Sequence, residues 1–156
     1  MKKKDVRDRF LSLVPVDARR ILDVGCADGG LSATLRQKGA EIVGLEKNEG
    51  SCEKAQARLS KVFLADIEKF DLPYPNKYFD CILYADILAG PLVDLAPLLA
   101  ERTRVGGRIA LSGLLVEQAD AVTAAYRPWF DVGLTRERDG WGLLTGCRRA
   151  QDAVRK

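Results

Sequence analysis

The feature that most constrains the fold is a short apolar run that opens into a small-residue turn and then into a helix. Residues 21–24, which are apolar except for Asp23, have the character of a buried strand. Leu31, Thr34 and Leu35 then recur at helical spacing, and Gly39 ends the segment. Such a unit lets the backbone approach a ligand and points the N–H groups of a helix start at it. The turn between strand and helix consists of Gly25, Cys26, Ala27, Asp28, Gly29 and Gly30.

The rest of the chain alternates apolar runs with helical segments, which is typical of βαβ units and a parallel sheet with helices on both faces. One helix is expected before the first strand, with its apolar stripe from Val6 to Val14, and residues 68–77 form a polar connecting loop. Another helix begins near Pro91, with a second turn or kink at Pro97, and ends at Gly106 and Gly107. The further predicted strands are residues 41–46, 62–65, 79–84 and 108–111.

The last part of the chain has a different periodicity. Apolar residues alternate over residues 130–134 and again over 141–147, and Asp139 and Gly140 lie between the two runs. Alternation with period two on either side of an Asp-Gly pair predicts a β-hairpin. The sequence therefore predicts an α/β fold whose parallel sheet ends in a C-terminal antiparallel strand pair.

The absence of histidine narrows the chemistry. None of the 156 residues is His, which excludes Ser-His-Asp triads, Cys-His nucleophile pairs and His-ligated zinc. Proton transfer would then fall to carboxylates, Lys, Tyr, Cys or solvent. The four cysteines are far apart and none forms a C-x-x-C pair, which favours reduced thiols over a metal site or a disulfide framework. These cysteines are Cys26, Cys52, Cys81 and Cys147.

The charge balance gives no sign of a charged partner. With 25 basic and 22 acidic residues the net charge is +3, too close to neutral to indicate a nucleic acid or a membrane surface. The apolar stretch at residues 10–16 is too short for a signal sequence or a membrane span. We therefore expect a cytoplasmic protein with one domain over residues 1–156.

The small-residue turn is compatible with two kinds of ligand. Gly25, Ala27 and Gly30 fit the dinucleotide pattern G-x-[G/A]-x-x-G, and Glu46 follows 21 residues after Gly25, where an acid would hold a ribose hydroxyl. Asp23 precedes Gly25 by two residues. A carboxylate there favours a ligand with a cationic amino-acid group over a nicotinamide dinucleotide.

This stretch resembles the first motif of the class I S-adenosylmethionine-dependent methyltransferases, an acid followed by G-x-G-x-G. The chain reads Asp23-x-Gly25-x-Ala27-x-Gly29, with alanine at the middle position. The resemblance implies S-adenosylmethionine as cofactor and a Rossmann-like three-layer sandwich, with a seven-stranded, mostly parallel sheet and a C-terminal antiparallel hairpin. Cys26 lies in this loop and is counted with the cofactor-binding residues, where we expect it to be a small packing residue rather than a nucleophile.

The same resemblance assigns binding roles at the ends of the next two strands. Glu46 is expected to bond both ribose hydroxyls, and the stem of Lys47 to lie along the adenine or face water. Asp66 is expected to meet the adenine amino group, and Ile67 to pack against the ring. These positions lie at the carboxyl ends of parallel strands, the edge where open α/β sheets bind ligands.

The end of the fourth strand is the expected place of methyl transfer. The resemblance implies that backbone carbonyls of Tyr84 and Ala85 line the methionine part of the cofactor. Asp86 follows directly and is the candidate catalytic residue, because a carboxylate can accept a hydrogen bond from an amine or hydroxyl nucleophile and offset its developing positive charge. The alternative role for Asp86 is a loop acid or helix cap.

The C-terminal half resembles a narrower group, the bacterial ribosomal-protein methyltransferases that modify amines of a large-subunit stalk protein. Two departures are expected to matter. That family has Asn at the position of Asp86, and it carries an N-terminal substrate domain, whereas this chain has only one helix before its first strand. The similar stretches are residues 86–92, 94–98, 106–107, 111–115, 118–119, 125–126 and 144–148, together with Trp141.

The predicted function is therefore methyl transfer from S-adenosylmethionine, in line, to an amine or hydroxyl of a small-molecule or protein acceptor, without a metal ion. One alternative is a non-catalytic S-adenosylmethionine-binding or scaffold protein of the same fold. The other, less favoured, is a nicotinamide-dependent oxidoreductase. Exposed sheet edges are compatible with a homodimer.

Overall fold

The computed structural model describes residues 11–84 and 90–150. A 3₁₀ turn at Val116–Gln118 precedes the last helix, and none of the described helices is long and apolar enough to cross a membrane. In chain order, the strands and α-helices are β1 (Arg20–Val24), α1 (Ala33–Gln37), β2 (Glu41–Glu46), α2 (Glu49–Gln56), β3 (Lys61–Leu64), β4 (Phe79–Tyr84), α3 (Gly90–Arg102), β5 (Thr103–Leu115), α4 (Ala119–Tyr126), β6 (Phe130–Arg138) and β7 (Trp141–Arg148).

The strands form one seven-stranded sheet in the order β3-β2-β1-β4-β5-β7-β6. The five strands from β3 to β5 pair in parallel, and β7 pairs antiparallel with both β5 and β6. The parallel strand order reverses beside β1, and ligands of open α/β sheets bind at such a switch point, outside the carboxyl ends of the strands. The predicted Rossmann-like architecture with its C-terminal antiparallel pair is confirmed.

Two hydrophobic layers hold helices against the sheet. On one face, residues of α3 and α4 such as Leu99 and Val122 pack on Leu22 and Ile82 of the central strands. On the other face, α1 and α2 pack on residues that include Ile21. Successive strand residues point to opposite faces. Asp23 therefore shares a face with Ile21 and lies under α1 and α2.

The predicted bounds of 41–46 and 79–84 agree with β2 and β4, and β3 begins one residue earlier than predicted. Residues 68–77 contain no helix or strand, as predicted. Arg102 holds this connecting loop with hydrogen bonds to the carbonyls of Leu72 and Tyr74, at 3.1 and 2.6 Å. Most of the helix predicted around residues 6–14 lies outside the described residues.

The prediction that the helix beginning near Pro91 ends at Gly106 and Gly107 is wrong. The helix ends at Arg102, and the next residue already pairs with Phe79 at the start of β5. The Thr103 hydroxyl donates to the Leu99 carbonyl at 2.6 Å, which satisfies one of the free carbonyls at the helix end. The two glycines instead form a bulge in β5: a Cβ at Gly107 would lie 2.9 Å from the carbonyl oxygen of Asp80.

The predicted terminal hairpin is confirmed. Asp139 and Gly140 join β6 to β7 with φ angles of +50° and +81°. Positive φ at both central residues is the conformation of the two-residue turn that matches the twist of antiparallel strands. Trp141 then pairs with Leu115 at the far end of β5, so the antiparallel strands extend past the carboxyl edge of the parallel ones.

Candidate functional site

The carboxyl ends of β1, β2 and β4 meet around a small cavity. Five residues predicted to bind a cofactor line it: Gly25, Glu46, Lys47, Ile67 and Tyr84. Val24, Leu45 and Ala65 complete the lining. The cavity holds about 20 Å³ in this ligand-free arrangement, about the space of one water molecule. A nucleoside would therefore lie mostly in front of it, against the rim that these residues form.

The loop after β1 alternates in backbone handedness. Gly25, Ala27 and Gly29 have φ angles of +76°, +50° and +75°. The amides of Gly25 and Cys26 both donate to the Leu45 carbonyl, at 2.9 and 3.0 Å, which fastens the loop to the end of β2. Glycine tolerates positive φ without strain, whereas alanine in this region is strained by its Cβ. Ala27 is thus the strained position of the loop.

Glu46 joins the loop to the end of β2. Its Oε2 accepts from the Ala27 amide at 2.8 Å, and its Oε1 accepts from the Asn48 amide at 2.9 Å. Each carboxylate oxygen can accept more than one hydrogen bond. Glu46 is therefore held in place by two backbone groups and keeps capacity for two further donors, which suits a cis-diol.

Asp23 is a buried acid with one unsatisfied oxygen. It is 1% exposed, and Ser32 Oγ donates to its Oδ2 at 2.5 Å. Its Oδ1 has no hydrogen-bond partner in the part of the chain that the structure describes. Burial raises the pKa of Asp23 to about 6, with the Ser32 bond acting to lower it and the charge of Glu46 to raise it. A cation nearby would stabilise the ionised form.

Cys26 is packed beneath the loop. It is 5% exposed, and burial together with the charges of Asp23 and Glu46 raises the pKa of its thiol to about 12. A Cβ at Gly44 of β2 would lie 2.7 Å from Cys26 Sγ, so this glycine makes room for the sulfur. A neutral buried thiol is a poor nucleophile, in keeping with the predicted packing role.

Lys47, Asp66 and Ile67 form the far side of the site. Lys47 Nζ lies 3.8 Å from Asp66 Oδ2, and Asp66 Oδ1 accepts from the Glu68 amide at 3.0 Å. Ile67 is 4% exposed and belongs to the core beneath. The lysine therefore directs its ammonium to the carboxylate, and Asp66 is fixed by its own turn.

Tyr84 ends β4 and is almost fully buried. Its carbonyl accepts from Ser112 Oγ of β5 at 3.2 Å, so this carbonyl is tied to the neighbouring strand. Ala85 and Asp86, the remaining predicted site residues, lie outside the described residues.

Three polar residues at this edge are missing from the sequence-based prediction: Ser32, Asn48 and Ser112. Asn48 caps α2 by accepting from the Ser51 amide at 2.9 Å, and an Asn before a helical run is a signal that the sequence does carry. The contacts of Ser32 with Asp23 and of Ser112 with Tyr84 join residues 9 and 28 positions apart. Spacing alone does not reveal them.

Comparison with known proteins identifies a family. A family model described as ribosomal protein L11 methyltransferase matches residues 10–149. A ribosomal protein L11 methyltransferase of Shewanella piezotolerans is 40% identical over 132 residues, which is 83% of this chain and 45% of the relative. One of Shewanella baltica is 35% identical over 143 residues, 90% of this chain and 49% of the relative. The chain thus spans about half the length of the curated relatives it matches.

Solved structures share the fold. A ribosomal protein L11 methylase from Lactobacillus delbrueckii subsp. bulgaricus aligns with a TM-score of 0.77 and 21% identity, covering 94% of this chain and 79% of that one. The N-methyltransferase NodS from Bradyrhizobium japonicum, in complex with S-adenosyl-L-homocysteine, aligns with a TM-score of 0.74 and 15% identity, covering 96% and 88%. The sheet described above is therefore the fold of S-adenosylmethionine-dependent methyltransferases.

Proposed function

Because the chain belongs to the ribosomal protein L11 methyltransferase family, we propose that it binds S-adenosylmethionine and transfers the methyl group to a nucleophilic acceptor. The observation that carries the proposal is the position of Glu46. Its carboxylate lies at the carboxyl end of β2, next to the switch point of the sheet, fixed by the amides of Ala27 and Asn48 and with acceptor capacity left on both oxygens. The two hydroxyls of a ribose could donate charge-assisted hydrogen bonds to the remaining acceptor positions of this carboxylate.

The other residues around the cavity suit the rest of such a cofactor. Ile67 lines the cavity with an apolar side chain and Asp66 offers an acceptor for an adenine, while the loop at Gly25 brings backbone close to the amino-acid part. The unsatisfied Oδ1 of Asp23 supplies negative charge under that loop. These carboxylate acceptors and the apolar lining fit a ligand with a diol, a base and a cationic end.

The acceptor chemistry needs little acid–base help. When bound, S-adenosylmethionine supplies a methyl group already activated by the positive charge on sulfur. The protein then has to align the nucleophile with that methyl group, which can contribute about 7–11 kcal/mol. We assign Asp86 the role of accepting a hydrogen bond from the attacking amine or hydroxyl. A chain without histidine is able to do this.

We further propose a protein amine as the acceptor, and ribosomal protein L11 as the first candidate. The support is that the curated relatives are named for that protein. The second candidate function is binding of the cofactor without transfer. It is supported by the strained Ala27 at a position where the resembling methyltransferases have glycine.

Calorimetry separates these functions. We expect S-adenosylhomocysteine to bind and NADH not to bind. Glu46→Ala should weaken the binding of S-adenosylhomocysteine by about 1.5–3 kcal/mol, the contribution of hydrogen bonds to a charged group. Glu137→Ala, which removes an exposed carboxylate from β6, is the matched control and should bind like wild type. Binding of NADH alone would refute the methyltransferase proposal, and an unchanged affinity for Glu46→Ala would refute the ribose assignment.

Transfer itself is measured with S-adenosylmethionine labelled in the methyl group. We expect label to enter purified ribosomal protein L11. Asp86→Ala should lower the rate of methyl transfer without weakening the binding of S-adenosylhomocysteine. Thioether binding with no transfer to L11 or to amine and hydroxyl compounds would favour the non-catalytic alternative.

A further inference from the structure

Ser32 occupies the start of helix α1, but its hydroxyl does not cap the helix. Its backbone is already helical, with φ −85° and ψ −12°, and no side-chain cap hydrogen bond is present. Serine at a helix start usually accepts from a free amide of the first turn. Here the hydroxyl donates instead to Asp23 Oδ2, at 2.5 Å. The helix therefore lacks the stabilisation that a serine cap would give, because the hydroxyl is bound to the Asp23 carboxylate.

The pair is sealed from solvent on both sides. Ser32 is 0% exposed and Asp23 is 1% exposed. A buried carboxylate normally has several hydrogen-bond donors, since an unpaired buried charge is costly. In the described part of the chain Asp23 has one, and it lies on Oδ2. The charge of the ionised carboxylate is therefore only partly compensated by the described residues.

We propose that Ser32 is a positioning residue, whose hydroxyl holds Asp23 in place and ionised, so that the buried charge of Asp23 next to the Gly25 loop attracts the cationic amino-acid end of S-adenosylmethionine. The inference rests on the proposed function, because it needs a ligand with an ammonium group at this loop. It adds a residue with no ligand contact of its own, which acts through Asp23.

The groups that face Asp23 make this support necessary. Glu46 at the end of β2 is an anion that opposes its ionisation. Among the residues that the structure describes, Cys26 in the loop and Cys81 on β4 are the other titratable neighbours, and burial raises the pKa of both thiols to about 12, so both are neutral. The Ser32 hydrogen bond is the contribution that lowers the pKa of Asp23. Without it the carboxyl would hold its proton to higher pH.

The consequence is a pH dependence of cofactor affinity that Ser32 controls. Since the pKa of Asp23 is about 6, affinity for S-adenosylhomocysteine, which carries the same ammonium group, should rise with pH through about 6 and level off above. A hydrogen bond to a charged group is worth about one pH unit or more of proton affinity. In Ser32→Ala the midpoint should therefore move up by about one unit.

The test is calorimetric titration of S-adenosylhomocysteine into wild type and Ser32→Ala from pH 5 to pH 8. With midpoints of about 6 and 7, the variant should bind about fivefold more weakly at pH 6 and equally, within twofold, at pH 8. A ¹³C NMR titration of the Asp23 carboxyl in the ligand-free proteins should show the same displacement. Thr103→Val is the control, because it removes another fully buried hydroxyl that donates at 2.6 Å, far from Asp23. It should leave the midpoint at the wild-type value.

A second background isolates the coupling. In Asp23→Asn the pH dependence should be lost, and adding Ser32→Ala to that background should leave the pH profile flat. Suppose that S-adenosylhomocysteine binds but the midpoints of wild type and Ser32→Ala coincide, or that the ratio of their affinities is the same at every pH. The positioning role is then wrong, and Ser32 is structural. If wild type does not bind S-adenosylhomocysteine at any pH, the proposed function fails, and this inference fails with it.

Discussion

Ala27→Gly should stabilise the protein, although most glycine substitutions do the opposite. Ala27 is exposed and has a φ of +50°, a left-handed conformation that disfavours an L-residue by about 1–2 kcal/mol. Glycine removes this strain but loses more backbone entropy on folding, about 0.5–1 kcal/mol relative to alanine. The difference leaves a net gain of about 0.5–1 kcal/mol in the free energy of unfolding.

The matched control is Ala57→Gly at the end of α2. Ala57 is also exposed, but its φ of −75° and ψ of −16° are right-handed helical values. That substitution has only the entropic cost and should destabilise by about 0.5–1 kcal/mol. The two variants should thus differ by about 1–2 kcal/mol in opposite directions from wild type. The Ala27 amide that donates to Glu46 remains in a glycine variant, so the loop keeps its anchor.

Urea denaturation followed by circular dichroism measures both variants on one scale, and thermal melts should separate them by about 2–4 °C per kcal/mol. A loss of stability in Ala27→Gly equal to that in Ala57→Gly would show that the loop is not strained at this position. The explanation of the Ala27 conformation given above would then be wrong.

Two further predictions concern buried or partly buried acids. Burial raises the pKa of Asp23 to about 6, so ionisation of this group lowers the stability of wild type as pH rises from about 4 to 6. Asp23→Asn should therefore raise the free energy of unfolding by about 1–3 kcal/mol at pH 7 and by little at pH 4. Urea titrations at both pH values measure this difference. For Asp80, burial acts to raise the pKa, but hydrogen bonds from the Arg19 amide, the Arg104 guanidinium and the Arg20 amide outweigh it and lower the pKa. Asp80→Asn should therefore lower the free energy of unfolding by about 1.5–3 kcal/mol at pH 7, with the difference shrinking as pH falls below about 4, and an equal loss at pH 3 would contradict this account.

The sequence predicts the parts of this fold that depend on local pattern. Strand β4 is apolar apart from Asp80, and the Asp139-Gly140 turn has the residues that its backbone angles require. The end of α3 depends instead on a tertiary event, the pairing of Thr103 with Phe79. Two adjacent glycines normally suggest a helix end, and only the close approach of Asp80 to Gly107 shows that they belong to a bulge.

The candidate site divides in the same way. Glu46 can be predicted because a parallel sheet brings its strand end beside the glycine loop whatever the details of packing. The role of Gly44 cannot, since it depends on the Cys26 sulfur lying against β2. Ser32 is a stronger case, because its sequence position suggests a helix cap and its contact is with β1.

Unfavourable features are concentrated at the loop after β1. Ala27 has a strained backbone, and Asp23 is a buried acid whose Oδ1 has no partner among the described residues. Glu46, an anion, acts on the same Asp23. Strain and unpaired charge persist where the surrounding structure holds them, and they cluster at ligand sites. A ligand that brings a diol to Glu46 and a cation to Asp23 would relieve the electrostatic part of this cost. The electrostatic cost that the protein has without ligand would then be recovered as part of the free energy of binding.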